Sequence, residues 1–161
     1  MRIFNSPTKG KMDFETVISE IVNFIREDPL QIYKLVVGTD SEGKSRPIFV
    51  IAVAIHRKGK GGRYFWTKVQ KQKKYTLRNR IYEETMLSLN LAIVLRQKLE
   101  ERLKEIYPLN YENLEIHTDI GENGETKDMI KEIVGMIRGN GFLAKIKPES
   151  YGASTVADKY T

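Results

Sequence analysis

Three strand-like apolar runs precede the longest helical segment of this chain, and this order constrains the fold more than any other sequence feature. The runs span residues 33–39, 48–56 and 63–70, and short polar turns that contain glycine join them. Turns of this kind favour antiparallel hairpins. A helical segment follows at 77–105, with leucine and isoleucine recurring at helical spacing.

Strands and helices then alternate to the end of the chain. Apolar patterns predict a strand over 113–118, a helix over 126–138, a strand over 142–147 and a short helix over 150–161. An amphipathic helix over 14–26 precedes the first strand. This order predicts an α/β fold: a mixed five-stranded sheet of three antiparallel strands followed by alternating α and β, flanked by helices, with an extra N-terminal helix.

The bulk composition narrows the class of protein further. The chain has 161 residues, which suits a single domain over 1–161. It has no cysteine, which excludes a disulfide framework, a thiol nucleophile and a Cys-ligated zinc. The N-terminus lacks the apolar core of a signal peptide, and no apolar stretch reaches the ~20 residues that span a bilayer. We therefore expect a cytoplasmic protein without a membrane partner.

Four carboxylates stand at positions where one kind of active site would need them. Asp40 and Asp119 each end an apolar run, Glu84 lies in the long helix, and Asp158 lies near the C-terminus. A carboxylate that follows a buried strand lies at the sheet edge where open α/β folds bind ligands. Converging carboxylates repel one another unless cations neutralise them. The pattern therefore predicts divalent metal ions, Mg²⁺ or Mn²⁺, and phosphate chemistry.

Each of these acids also has a structural explanation. Asp40 and Asp119 could cap the polar turns that follow them, since aspartate favours such turns. Glu84 competes with Glu83 for one role. Helical spacing aligns Glu84 with an apolar and small stripe suited to a sheet, so we choose it over its more polar neighbour. Asp158 is close to the chain end, where residues are often frayed.

A basic segment at residues 57–80 contains Lys and Arg but no acid, in a chain with a formal net charge of +6. A solvated surface would explain a charge run. However, this run has one sign and is interleaved with aromatic residues, which fits neutralisation of a nucleic-acid backbone and base stacking better. The predicted nucleic-acid contacts are Lys58, Lys60, Arg63, Trp66, Lys68, Lys71, Lys73, Lys74 and Arg78.

At the acidic positions the chain resembles the ribonuclease H-like superfamily. The segments 37–41 (VGTDS), 116–119 (IHTD) and 156–159 (VADK) are similar to its first-strand, fourth-strand and final aspartate motifs. A closer resemblance is to the YkuK-like family of uncharacterised bacterial proteins. It covers most of the chain, and its motifs are GTDS from 38, RIYEE from 80, HTDIGENG from 117, GMIRG from 135 and KPESY from 147, through to AD at 157.

The resemblance implies a metal-dependent nuclease that hydrolyses phosphodiester bonds by a two-metal mechanism. Asp40 would bridge two ions, Glu84 and Asp119 would complete the shell of one, and Asp158 would help hold the other. Many ribonucleases H carry a loop histidine between the last two acids, and its absence here argues against fast multiple turnover but not against metal binding. His117 shares the strand parity of Asp119, either as a supporting residue of the site or as an ordinary sheet histidine.

Two other functions compete with the nuclease hypothesis. The first is a non-catalytic nucleic-acid-binding protein on the same fold, which the basic segment alone would support. The second is a nucleotide-binding protein, because actin-like ATPases share the superfold. That hypothesis is weaker, since those proteins have two such domains and this chain has length for one. The sequence does not distinguish RNA, DNA and hybrid substrates, and it indicates no oligomeric state.

Overall fold

A single sheet forms the centre of the computed structural model, which describes residues 2–42, 46–104 and 114–150. Its strands are β1 (Ile3–Ser6), β2 (Gly10–Asp13), β3 (Tyr33–Ser41), β4 (Ile48–Arg57), β5 (Gly62–Gln70), β6 (Leu114–His117) and β7 (Leu143–Lys145). The helices are α1 (Phe14–Glu27), α2 (Leu77–Leu103) and α3 (Ile130–Gly139), and a 3₁₀ turn at Lys127–Met129 precedes α3.

The strand order in the sheet is β2-β1-β5-β4-β3-β6-β7. The hairpin strands β3, β4 and β5 pair antiparallel, whereas β6 pairs parallel with β3, and β7 pairs parallel with β6. This arrangement confirms the predicted mixed α/β fold, with three antiparallel strands followed by alternating helices and strands. The predicted N-terminal helix is also present, as α1, and the Asp13 carboxylate caps it by accepting from the Thr16 amide at 2.8 Å.

The prediction of five strands was wrong, because β1 and β2 extend the sheet to seven. These two strands have four residues each and at most two neighbouring apolar side chains, so neither gives an apolar run in the sequence. They form a hairpin whose chain reversal uses Gly10 at a φ of 73°. β1 pairs antiparallel with β5, where Asn5 lies opposite Trp66. β5 therefore has a neighbour on both sides and is internal to the sheet.

The main apolar core lies on the face of the sheet that carries alternate residues such as Leu35, Val37, Ile51 and Phe65. The described helices α1, α2 and α3 all contribute to this core, so we call this side the helix-covered face. On the opposite face a smaller cluster contains Val36, Val50, Ala52 and Ala54, with Tyr64 and Trp66 against it, and no described helix contributes. The predicted helices therefore flank one face within the described part of the chain.

Helix α2 crosses the helix-covered face next to β3. Thr76 caps its first turn by accepting from the Asn79 amide at 3.2 Å. The hydroxyls of Ser88 and Thr39 meet at 2.7 Å and fix the helix to the end of β3.

No helix in the described part of the chain is long and apolar enough to cross a membrane. Apart from its first residue, Ser150, the predicted final helix at 150–161 lies outside the described residues, and so does Asp158.

Candidate active site

Asp40 and its neighbour Ser41 are the last two residues of β3. The strand extends beyond its predicted end at residue 39, because β4 still pairs with it, Val50 opposite Asp40 and Phe49 opposite Ser41. Successive strand residues point to opposite faces. Ser41 therefore points towards α2, where its hydroxyl donates to Oε2 of Glu84 at 2.5 Å. Asp40 is largely buried, with 9% of its surface exposed.

The structure places Glu84, and not Glu83, against the sheet. Glu84 is only 7% exposed and lies between Ser41 of β3 and Arg80, whose Nε is 3.9 Å from Glu84 Oε2. The Glu83 side chain is partly exposed, and its Oε1 lies 3.5 Å from Nζ of Lys71. This is the orientation that helical spacing predicted, and it makes Glu84 the candidate ligand on α2.

The Glu84 carboxyl has a strongly raised pKa. Its pKa is raised to about 8; burial is the largest cause, and the negative charges of Asp40 and Asp119 act in the same direction. The Ser41 hydroxyl and the Arg80 guanidinium oppose this change but do not cancel it. Since both aspartates act on Glu84, the three carboxylates belong to one electrostatic unit, which favours a proton or a cation among them.

The raised pKa of Glu84 predicts a pH-dependent stability. The folded protein keeps this proton up to about pH 8, whereas the unfolded chain loses it near the ordinary value of 4.5. The folded state therefore binds more protons in this window, and its stability falls as the pH rises through it. We expect the melting temperature in EDTA to decline from pH 5 to 8 in the wild type, and less steeply in Glu84→Gln.

Glu83→Gln is the matched control. It removes a carboxyl from the adjacent residue, which is not packed against the sheet. It should keep the wild-type slope of melting temperature against pH. Parallel curves for the wild type and Glu84→Gln would show that the pKa of Glu84 is not raised in the folded protein.

Asp119 follows β6 and is 45% exposed, unlike Asp40 and Glu84. Its Oδ1 is 2.9 Å from Nζ of Lys147. The Lys147 amide donates to the Ile120 carbonyl at 2.8 Å, so the segments after β6 and β7 are held together. An ion pair this exposed contributes about 0–1 kcal/mol, so a ligand that competes for Asp119 could displace Lys147 at small cost.

A small cavity joins Glu84 and Asp119. Its volume is about 10 Å³, and its other lining residues include Thr39, Ser88 and His117. A volume of ~10–15 Å³ holds a single water molecule. His117 is also buried in β6 beside Glu115, with its Nε2 3.6 Å from Glu115 Oε1. His117 therefore lies both at the cavity that joins Glu84 and Asp119 and beside Glu115 within the sheet.

The fit of these residues to a divalent cation is partial. Carboxylate oxygens are the ligands that Mg²⁺ and Mn²⁺ prefer. The negative charges of Asp40 and Asp119 close to the Glu84 carboxyl favour a cation among the three groups. However, no three His, Cys, Asp or Glu residues in 2–42, 46–104 and 114–150 are arranged to hold a metal ion. Asp119 would have to release Lys147, and the predicted fourth ligand, Asp158, lies outside these ranges.

The predicted nucleic-acid contacts separate into two groups at opposite ends of β5. Lys58, Lys60 and Arg63 surround the β4–β5 turn, and we call them the hairpin cluster. Apart from Trp66, the others follow the strand towards Ser41 and form the Asp40-edge cluster, which comprises Lys68, Lys71, Lys73, Lys74 and Arg78. Because β5 has nine residues, a rise of ~3.3 Å per residue places its two ends roughly 25 Å apart, and the members of the two groups that lie within the strand, Arg63 and Lys68, roughly 16 Å apart.

Several members of these clusters have protein partners. The Arg63 guanidinium lies over the Phe24 ring at 4.7 Å, which ties it to α1. In the Asp40-edge cluster, Arg78 pairs with Asp128 at 2.7 Å, and Lys73 lies 5.0 Å from the Tyr75 ring centroid. Trp66 is half-buried on the opposite face and packs against Tyr64, with ring centroids 6.0 Å apart.

Three side chains that contact Glu84 or Asp119 were not among the predicted site residues, namely Ser41, Arg80 and Lys147. Strand alternation could have identified Ser41, because the residue after Asp40 must point to the other face. Helical spacing could have identified Arg80, which is four residues before Glu84. Lys147 reaches Asp119 through the pairing of distant segments, and no local sequence signal indicates that contact.

With this geometry established, comparison with known proteins identifies the class. A family model described as "Ribonuclease H-like" matches residues 16–161, so the chain belongs to the ribonuclease H-like family. A relative from Bacillus subtilis (strain 168), named "Uncharacterized protein YkuK", is 33% identical over 169 residues, covering 99% of this chain and 96% of the relative. Both resemblances read from the motifs are thereby confirmed, and the family supports a nuclease or other nucleic-acid-related function in general.

Proposed function

We propose that this protein is a metal-dependent nuclease that hydrolyses phosphodiester bonds in nucleic acid with two divalent cations, Mg²⁺ or Mn²⁺. One observation carries the proposal. Glu84 of α2 is buried against the end of β3, and the negative charges of Asp40 and Asp119 both act on its carboxyl. A buried carboxylate among other carboxylates is expensive unless a cation neutralises it.

The chain's own residues would divide the work as follows. Asp40, Glu84 and Asp119, with Asp158, would hold the cations. Bound ions would supply a lowered pKa for the attacking water and neutralise charge on the phosphate. Ser41 would keep the Glu84 carboxyl oriented through its hydrogen bond. Lys147, once released from Asp119, would place its ammonium group beside the substrate phosphate.

The Asp40-edge cluster supports nucleic acid as the substrate. Its Lys and Arg residues lie at the end of the sheet where β3 ends, so a backbone that they bind would pass close to the carboxylates. Neutralising phosphates with lysine and arginine releases counterions, which makes such binding strong and dependent on salt. The hairpin cluster is at the other end of β5 and contributes less to a substrate held at the carboxylates.

The proposal is tested by incubating the purified protein with 5′-labelled RNA, DNA and hybrid in Mn²⁺, in Mg²⁺ and in EDTA. We expect cleavage only with a divalent cation, and products with 5′-phosphate and 3′-hydroxyl ends, because water attacks the phosphorus and the 3′ oxygen leaves. Cleavage that persists in EDTA, or RNA products with 2′,3′-cyclic phosphate ends, would contradict the proposal.

A second function is favoured by a different observation. Asp119 is paired with Lys147, and no metal-binding trio forms among the described residues. This arrangement would suit a nucleic-acid-binding protein without catalysis. Such a protein would bind oligonucleotides with a steep salt dependence, would keep that affinity in Asp40→Asn, and would produce no cleavage with either cation.

A further inference from the structure

A groove of about 950 Å³ lies beside the candidate active site. One wall is a stripe of α3 that includes Ile130, Val134 and Gly135, and the floor includes Ala144 and Ile146 at the β7 end of the sheet. The segments after β6 and β7 form the remaining wall. Ligand pockets are typically ~300–1,000 Å³ and mostly apolar, so this groove has the size of a binding site.

The charges of the groove favour an anionic ligand. Lys131 and Arg138 line it from α3, and Lys147 lines it from the segment after β7. Two acids also line it, Glu122 and Glu149. Glu149 lies 3.9 Å from Lys145, which offsets its charge, and Asp119 likewise offsets the charge of Lys147 while their ion pair persists, so Lys131 and Arg138 outweigh Glu122. A positively charged groove binds the phosphates of a single strand, and its aliphatic floor offers apolar surface on which a base can be removed from water.

Lys147 connects this groove to the candidate active site. The same side chain that lines the groove ends 2.9 Å from Asp119 Oδ1. A nucleic-acid strand that leaves the carboxylates on the β7 side would therefore enter the groove directly. Bases of a duplex are stacked and paired inside the helix, so only an unpaired base can turn towards an apolar floor such as Ile130, Val134 and Ile146.

From these features we infer that the groove between α3 and β7 binds an unpaired stretch of the nucleic-acid strand next to the position of cleavage. The bases pack on the apolar floor, and Lys131, Arg138 and Lys147 bind the phosphates. This inference rests on the proposed function, because it assigns to the same site a preference for single-stranded substrate.

Gly135 offers a direct test. It is exposed on the groove side of α3, and an added Cβ would meet no atom within 4 Å. A side chain at position 135 can therefore start into the groove without a clash at its Cβ, the indole of Gly135→Trp would occupy groove volume, and replacing glycine inside a helix does not lower its helix propensity. Gly139→Trp is the matched control, because Gly139 is on the same helix, is equally open and does not line the groove.

The measurement is the affinity of each protein, in EDTA, for a fluorescent single-stranded oligonucleotide and for the blunt duplex of the same sequence. We expect Gly135→Trp to weaken single-strand binding by about tenfold, as for the loss of one base contact, and to leave duplex binding within twofold. Gly139→Trp should match the wild type with both probes, and melting temperatures should show that both variants are folded.

Equal single-strand affinity in Gly135→Trp and the wild type would overturn the inference, as would an equal loss with both probes or a wild type that does not bind single strands. These outcomes are independent of the nuclease proposal, because binding in EDTA needs no cleavage. Conversely, a protein that binds single strands through the groove but never cleaves them with Mn²⁺ would contradict the nuclease proposal alone.

Discussion

We expect Asp40→Asn to lower Mn²⁺-dependent cleavage by at least about a hundredfold. Removing a partner that only supports a metal ligand typically costs 10–100-fold, so loss of a direct ligand should cost at least as much. The substitution preserves the size of the side chain, and Asp40 lies in β3 with Val50 opposite it, so the strand pairing should survive. Initial rates at saturating Mn²⁺ give the measurement.

Asp28→Asn is the control for this experiment. Asp28 lies at the end of α1 and accepts from the Tyr33 hydroxyl through its backbone carbonyl, at the opposite end of β3 from Asp40. It should cleave like the wild type. If Asp40→Asn keeps wild-type Mn²⁺-dependent cleavage while folded, Asp40 is not a metal ligand and the two-metal proposal fails.

Phe49→Ala is the stability prediction with the largest expected effect. Phe49 is fully buried in β4, opposite Ser41, and its ring meets the Tyr75 ring edge-on at a centroid distance of 5.4 Å. Truncating a buried phenylalanine leaves a cavity and costs about 3–5 kcal/mol. In a protein of this size, each kcal/mol lowers the melting temperature by about 2–4 °C, so we expect a fall of roughly 6–20 °C.

This substitution should also affect the proposed substrate surface. Tyr75 follows Lys71, Lys73 and Lys74 along the chain, and Phe49 is the aromatic ring that holds it against the sheet. Leu30→Ala is the control, because Leu30 is 94% exposed and should change the unfolding free energy by less than about 0.5 kcal/mol. A thermal melt of Phe49→Ala that overlays the wild type would show that Phe49 is not a core residue.

The sequence predicted the central part of the fold because its strands and helices carry strong periodic signals. β3, β4 and β5 read as apolar runs since both faces of the sheet are buried at their centre, as at Val36 and Val37. Glu84 could be chosen because its helical neighbours are apolar. In contrast, β1 and β2 have one buried apolar residue each, Phe4 and Met12, and such strands become visible only through tertiary pairing.

The least predictable parts of the site depend on register. A one-signed run at 57–80 suggests one basic surface, but the antiparallel pairing of β4 with β5 places its two halves at opposite ends of the sheet. The contact of Lys147 with Asp119 arises because β7 pairs with β6 in parallel, which brings the ends of both strands to the same edge. Neither register is encoded locally, so neither could be derived from spacing.

The N-terminal hairpin has a practical consequence for work on this family. The family match begins at residue 16, so a protein trimmed to that boundary would lack both β1 and β2. β5 would then present an unpaired backbone edge alongside Trp66, and the core would lose Phe4. Exposed strand edges promote association between chains. Recombinant versions should therefore keep the first thirteen residues even though the family boundary leaves them out.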